Sequence, residues 1–88
     1  MKRYVRGRIH QDAIARGTEK AFWVEVDDGR WAAGKHNKSV WIPRSVCVFE
    51  DPNEFGWQEV LVPEWVFRNA RVDYHRVLDL TVTGIEVR

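Results

Sequence analysis

Apolar and polar residues alternate along most of the chain, and this period of two predicts strands almost from end to end. Over residues 3–14 (RYVRGRIHQDAI), Val5, Gly7 and Ile9 fall on one face, and Tyr4, Arg6, Arg8 and His10 on the other. Residues 18–28 (TEKAFWVEVDD) repeat the pattern more clearly: Phe22, Val24 and Val26 share one side, Trp23, Glu25 and Asp27 the other. Asp28-Gly29 signals a tight turn, because a type I′ turn needs positive φ at both central positions. Residues 30–38 (RWAAGKHNK), with Gly34 among polar side chains, read as a loop or a ragged strand end. The run 39–50 (SVWIPRSVCVFE) is rich in β-branched and aromatic residues. Within it Pro43 cannot donate to a ladder, so it marks an edge, a bulge or a bend between two short strands.

Residues 51–57 (DPNEFGW) form a turn cluster, and Gln58 to Val62 is another short apolar run. Pro63 suits the first turn of a helix, and Glu64 after it favours the positive end of the helix dipole. The predicted helix is therefore 63–71 (PEWVFRNAR), with Trp65 or Val66 capping the core beneath it. Leu78, Leu80 and Val82 alternate, Gly84 intervenes, and Ile85 and Val87 resume on the opposite parity, as at a β-bulge. Five or six strands and one short helix point to a mainly β fold of a single domain over residues 1–88. The first expectation is a small antiparallel barrel, SH3-like or OB-like; a curled sheet packed by the helix is the other.

Composition sharpens this picture. The chain has 88 residues, with five Trp, four Phe and two Tyr. A domain of this size buries only about 60–65% of the surface its unfolded chain exposes, so the aromatics carry much of its stability. A net charge of +1 with 44% hydrophobic residues excludes charge-driven disorder. The apolar runs are too short for a membrane span or a signal peptide. A single cysteine, Cys47, makes no internal disulfide and fits a reducing, cytoplasmic setting.

Charge is divided along the chain. Residues 1–20 carry six basic and two acidic side chains, whereas 50–64 carry five acidic and none basic. Alternation sets Arg6, Arg8 and His10 in a stripe on one side of a strand, and Lys35, His36, Lys38 and Arg44 make a second basic cluster. Trp23 and Trp41 both lie out of phase with the apolar faces of their strands. Exposed aromatics beside basic side chains are the usual surface for single-stranded nucleic acid, so Arg6, Arg8, Trp23, Lys35, Lys38, Trp41 and Arg44 are the candidate binding residues. Against this, Glu25 and Asp27 are placed to neutralise the stripe across strands, and a pI near 7.9 is low for such a protein. The two Trp serve equally as a dimer interface, unless the helix or the last strand covers them. Phe55 and Trp57, inside the acidic turn, either fold back as a plug, which is the preferred reading, or protrude as anchors.

Catalytic chemistry has little to stand on. His10, His36 and His75 lack any paired spacing, Cys47 sits in an apolar strand without a neighbouring base, and no CxxC, HxxxH or glycine-rich phosphate loop occurs. A non-enzymatic protein without metal or cofactor is expected.

Three blocks occur in order: Thr18-Glu19-Lys20-Ala21 followed by Val24, then Val40-Trp41-Ile42-Pro43-Arg44-Ser45, then Val62-Pro63-Glu64-Trp65. Together they resemble a loose group of short proteins encoded by bacteriophages and prophages, which read TEKA…V, WIPKS and VPEW. Arg44 stands where that group has Lys, and residues 30–38 and 72–88 depart from its pattern. The resemblance spans residues 18–67. It implies a phage or mobile-element origin, action in the host cytoplasm and a compact β-domain, and it carries no activity. Two functions follow as expectations: a nucleic-acid-binding accessory protein first, and a protein-binding module, such as a phage inhibitor of a host or defence protein, second. A homodimer is the expected way to cover surplus Trp.

Overall fold

The computed structural model describes residues 1–27 and 38–88. Among them six strands form two antiparallel sheets: β1 (Arg3–His10), β2 (Ala21–Val26), β3 (Lys38–Pro43), β4 (Val48–Phe49), β5 (Trp57–Pro63) and β6 (Leu80–Val87). The larger sheet runs β4-β5-β1-β6, and β2 pairs with β3 in the smaller. Two short helices, α1 (Gln11–Ile14) and α2 (Glu64–Asn69), and 3-10 turns at Arg44–Val46 and Tyr74–Arg76 complete the described chain. The Asp28-Gly29 turn and the loop reading of 30–37 lie outside the described residues.

Alternation decides what is buried. Val5, Ile9, Val60, Val62 and Leu80 from the larger sheet meet Phe22, Val24, Val26, Val40 and Ile42 from the smaller in one core. Val66 and Phe67 of α2, Ala13 of α1 and Val77 close its ends. Each such aliphatic or aromatic side chain stabilises the fold by roughly 1.5–3 kcal/mol. No polar or charged side chain among the described residues is buried.

Besides the passage from β1 to β2 through α1, the two sheets are joined at two corners. At one, Asp27 N–H donates to Arg76 O, Leu78 N–H donates to Glu25 O, and Val26 bridges Val77, so residues 76–79 border β2 before β6 joins β1. At the other, Pro43 ends β3, the 3-10 turn follows, and β4 pairs with β5. These corners curl the strands round the core without closing them by hydrogen bonds. The curled sheet is therefore the fold, and the barrel is not formed.

Several local expectations hold and several are corrected. Pro43 does separate two strands. The bulge before Gly84 is present: Arg6 pairs with Gly84 but Gly7 with Val82, leaving Thr83 as the extra residue. Residues 11–14, read as strand, form α1 instead. His10 Nδ1 accepts the Asp12 N–H at 3.1 Å, a side-chain cap that outcompetes the alternating pattern. Residues 18–20 turn rather than extend, because Thr18 Oγ1 accepts from the N–H groups of Lys20 and Ala21. In α2 the inward residues are Val66, one of the two expected to cap the core, and Phe67, whereas Trp65, the other, is 41% exposed.

Candidate functional site

The seven residues singled out from the sequence do not gather into one surface. Arg6 and Arg8 stand on the outer face of the larger sheet, and Trp23 and Trp41 on the outer face of the smaller. Both sheets turn their apolar sides to the same core, so these outer faces look away from each other. Lys38 is spent on α2: its ammonium donates to Ala70 O at 2.7 Å, at the C-terminal end of the helix. Arg44 is spent on the turn before β2, donating from Nε to Thr18 O (3.0 Å) and from Nη2 to Arg16 O (3.3 Å). Lys35 lies outside the described residues.

Within the basic stripe Arg6 is neutralised, by carboxylates of β5 and β6. Arg6 donates to Glu59 at 3.0 Å and also to Glu86, and Arg3 meets Glu64 at 3.2 Å. The cause is register. β1 pairs antiparallel with β5, bringing Arg8 opposite Glu59, and with β6, bringing Tyr4 opposite Glu86. The segments of opposite charge along the chain thus lie side by side in space. Of the stripe, only Arg8 is exposed without a side-chain bond among the described residues. It borders a groove with Glu50, Asp51, Trp57 and Glu59.

The hydrogen bond from Arg6, then that from Arg88, holds the Glu86 carboxyl below the usual carboxylate range. A carboxyl whose folded-state pKa is depressed stabilises the fold above its unfolded value, near 4.3, and loses that contribution as pH falls through the folded value. Glu86→Gln is therefore expected to lower Tm at pH 7 and to match the wild type in strong acid. Thermal melts of both proteins across pH 2–7 check this; a gap that does not shrink below about pH 4 would contradict it.

Trp23 and Trp41 are direct cross-strand neighbours and share one face, as alternation requires. They differ in exposure. The Arg16 guanidinium lies 4.2 Å from the Trp23 ring and is itself held by Asp79 at 2.8 Å, so Trp23 is half-buried beneath a fixed cation. Trp41 is 53% exposed.

A better-formed surface lies in the acidic turn. Asn53 Oδ1 accepts the backbone N–H of both Phe55 and Trp57, and Asn53 and Trp57 also pair through the backbone at 2.7 Å. Gly56 sits at φ +86°, where a Cβ would lie 2.7 Å from His10 Nε2. Because His10 Nδ1 accepts from Asp12, the ring proton is on Nε2, which donates to Phe55 O at 2.9 Å. Gln11 N–H closes the clamp on Gly56 O, and the Trp57 ring stands edge-on to His10 at 5.1 Å. Phe55 projects from this clamp at 73% exposure, on a segment whose Glu50, Asp51 and Glu54 are also exposed. The plug reading is corrected for Phe55: the clamp fills the space inside the turn and turns the ring outward. Trp57 rests on His10 but remains 45% exposed. The sequence signal for this tip was two aromatics in a polar turn; the missing part was His10, distant in sequence.

At the far end of β1 lies a second groove, of about 620 Å³, whose lining includes Lys2, Arg3, Val48, Trp65 and Arg68. Glu64 forms ion pairs with both Arg3 and Arg68 there. Cys47 also borders it, but burial pushes the thiol up to about 12, and its Sγ donates to Pro43 O at 3.5 Å. No group of three or more His, Cys, Asp or Glu side chains that could hold a metal occurs among the described residues, and no described helix is long and apolar enough to cross a membrane. No protein-family model, curated protein or solved structure matches this chain.

Proposed function

We propose that the protein is a non-enzymatic protein-binding module that engages its partner through the clamped acidic turn, with Phe55 and Trp57 as anchors. One observation carries this reading: Phe55 is the most exposed internal aromatic among the described residues, yet the backbone of residues 55–57 is held by six separate hydrogen bonds with Asn53, His10 and Gln11. An apolar side chain presented on ordered backbone loses little conformational entropy on docking, so more of its burial appears as affinity. The surrounding carboxylates select a partner surface that is basic and apolar, and hasten the encounter.

The nucleic-acid reading loses support from the same geometry. Three of its candidate cations, Arg6, Lys38 and Arg44, are engaged by carboxylates or backbone carbonyls, and its Trp pair faces away from Arg6 and Arg8. A non-enzymatic role agrees with a Cys47 thiol that is far from forming a thiolate at neutral pH. The resemblance of residues 18–67 to phage and prophage proteins makes host-cell cytoplasmic proteins the first partners to test.

Truncating a central aromatic anchor typically weakens binding by about 2 kcal/mol or more, roughly 30-fold. Wild-type and Phe55→Ala protein immobilised side by side are therefore expected to differ in what they retain from bacterial lysate. A specific protein held by the wild type at low salt should be lost from the variant. Single-stranded DNA should leave Trp fluorescence unchanged. Identical retention by the two proteins, or salt-dependent quenching by DNA, would sink the proposal.

A further inference from the structure

The two grooved ends of the larger sheet are complementary to each other. At one end the clamped turn presents Phe55 on a segment that also carries the exposed Glu50, Asp51 and Glu54. At the other, the groove beside α2 offers the exposed Trp65 ring with Lys2, Arg3 and Arg68 around it and Glu64 as its acidic member. We infer that one copy of the chain seats its Phe55 tip in the Trp65 groove of a second copy. This rests on the tip being a binding surface, and it names a partner for that surface.

Chemistry and shape support the match. An aromatic knob on an acidic segment meets a groove lined by Trp65 together with Lys2, Arg3 and Arg68, which outnumber their one acidic neighbour, Glu64. Edge or offset contact between Phe55 and Trp65 adds to apolar burial, and the charges fix orientation. A volume of about 620 Å³ lies within the range of pockets that take ligands larger than one ring. The tip cannot reach its own groove. His10 pairs with Trp57 at one end of the β1–β5 ladder and Tyr4 with Pro63 at the other, six residues and about 20 Å away. The contact is consequently between two different patches, which permits chains of copies as well as closed pairs.

The test uses analytical ultracentrifugation of two surface variants and their mixture. Phe55→Ala removes the knob and leaves the groove. Arg68→Glu spoils the groove and leaves the knob; Arg68 is exposed, and its one ion pair, to Glu64, spans 3.9 Å. The wild type should exceed the 10.4 kDa of a single chain as concentration rises, and less so at high salt. Each variant alone should associate roughly tenfold or more weakly. An equimolar mixture should recover a one-to-one pair, because the knob of Arg68→Glu fits the groove of Phe55→Ala. A wild type that stays at 10.4 kDa, a Phe55→Ala protein that still associates, or a mixture no heavier than its components overturns the inference. If the wild type is monomeric but Phe55 still decides retention from lysate, self-docking alone falls. If Phe55 affects neither measurement, both readings fall together.

Discussion

Phe22→Ala is expected to cost the fold about 3–5 kcal/mol, the usual loss for a buried Phe. Phe22 is fully buried in β2 and packs at a tilt on Phe49 of β4, with ring centroids 6.1 Å apart. The Arg44 guanidinium, fixed on two backbone carbonyls, lies 5.4 Å from the same ring. One side chain thus joins the smaller sheet, the edge of the larger sheet and the turn between them. Truncation leaves a cavity with walls held on three sides, so little collapse offsets the lost contacts. Against a total of roughly 5–15 kcal/mol for a typical domain, the variant should be partly unfolded at 37 °C. Urea denaturation followed by Trp fluorescence should show a lower midpoint with a similar slope. A loss below about 1 kcal/mol would show that the site closes over the gap.

Gly7→Ala should also destabilise, by about 1–3 kcal/mol, through overpacking. A Cβ at position 7 would lie 2.6 Å from Leu80 Cδ1 and 2.8 Å from Thr81 O. Leu80 is itself in the core, and the Thr81 carbonyl belongs to the β6 backbone, so neither neighbour moves freely. The bulge in β6 begins at this point, since the register shifts between Arg6 and Gly7. The absence of a side chain there allows β6 to come close while carrying its extra residue. A domain of this size shifts Tm by about 4–8 °C per kcal/mol, so a drop of roughly 4–24 °C is expected by calorimetry. An unchanged Tm would mean that β6 can shift away from β1 without loss.

The fold was more legible in the sequence than the site was, for physical reasons. Strand faces follow from a period of two, which burial enforces residue by residue. Val5, Ile9, Phe22, Val24, Val26, Val40 and Ile42 are all inside as alternation requires. Gly84 and Pro43 mark their irregularities because each has only a few backbone roles open to it. Surfaces, in contrast, depend on register between distant strands. Nothing near Arg6 in sequence reveals that Glu59 and Glu86 will flank it, so a guanidinium that reads as free charge is internally paired. Of Trp65 and Val66, both offered by the pattern, only Val66 is inside, because a helix of six residues buries only a narrow strip, which Val66 and Phe67 fill. The clamp beneath Phe55 needs His10, which the alternating pattern treated as one more outward residue of a longer strand.

The position of β1 bears on how the molecule assembles in time. It lies between β5 and β6, whose residues begin 47 positions beyond the end of β1 at Trp57 and finish at Val87. The first strand therefore waits for the last ones, and its apolar face stays uncovered while the intervening chain collapses. Among the described residues, only the β2–β3 pair joins strands that are consecutive in sequence and complete in the first half of the chain. Closing such long loops before any contact repays them slows folding, to the millisecond-to-second range usual for β proteins of high contact order. During that interval an unpaired β1, with Val5 and Ile9 exposed, is the segment most open to wrong partners.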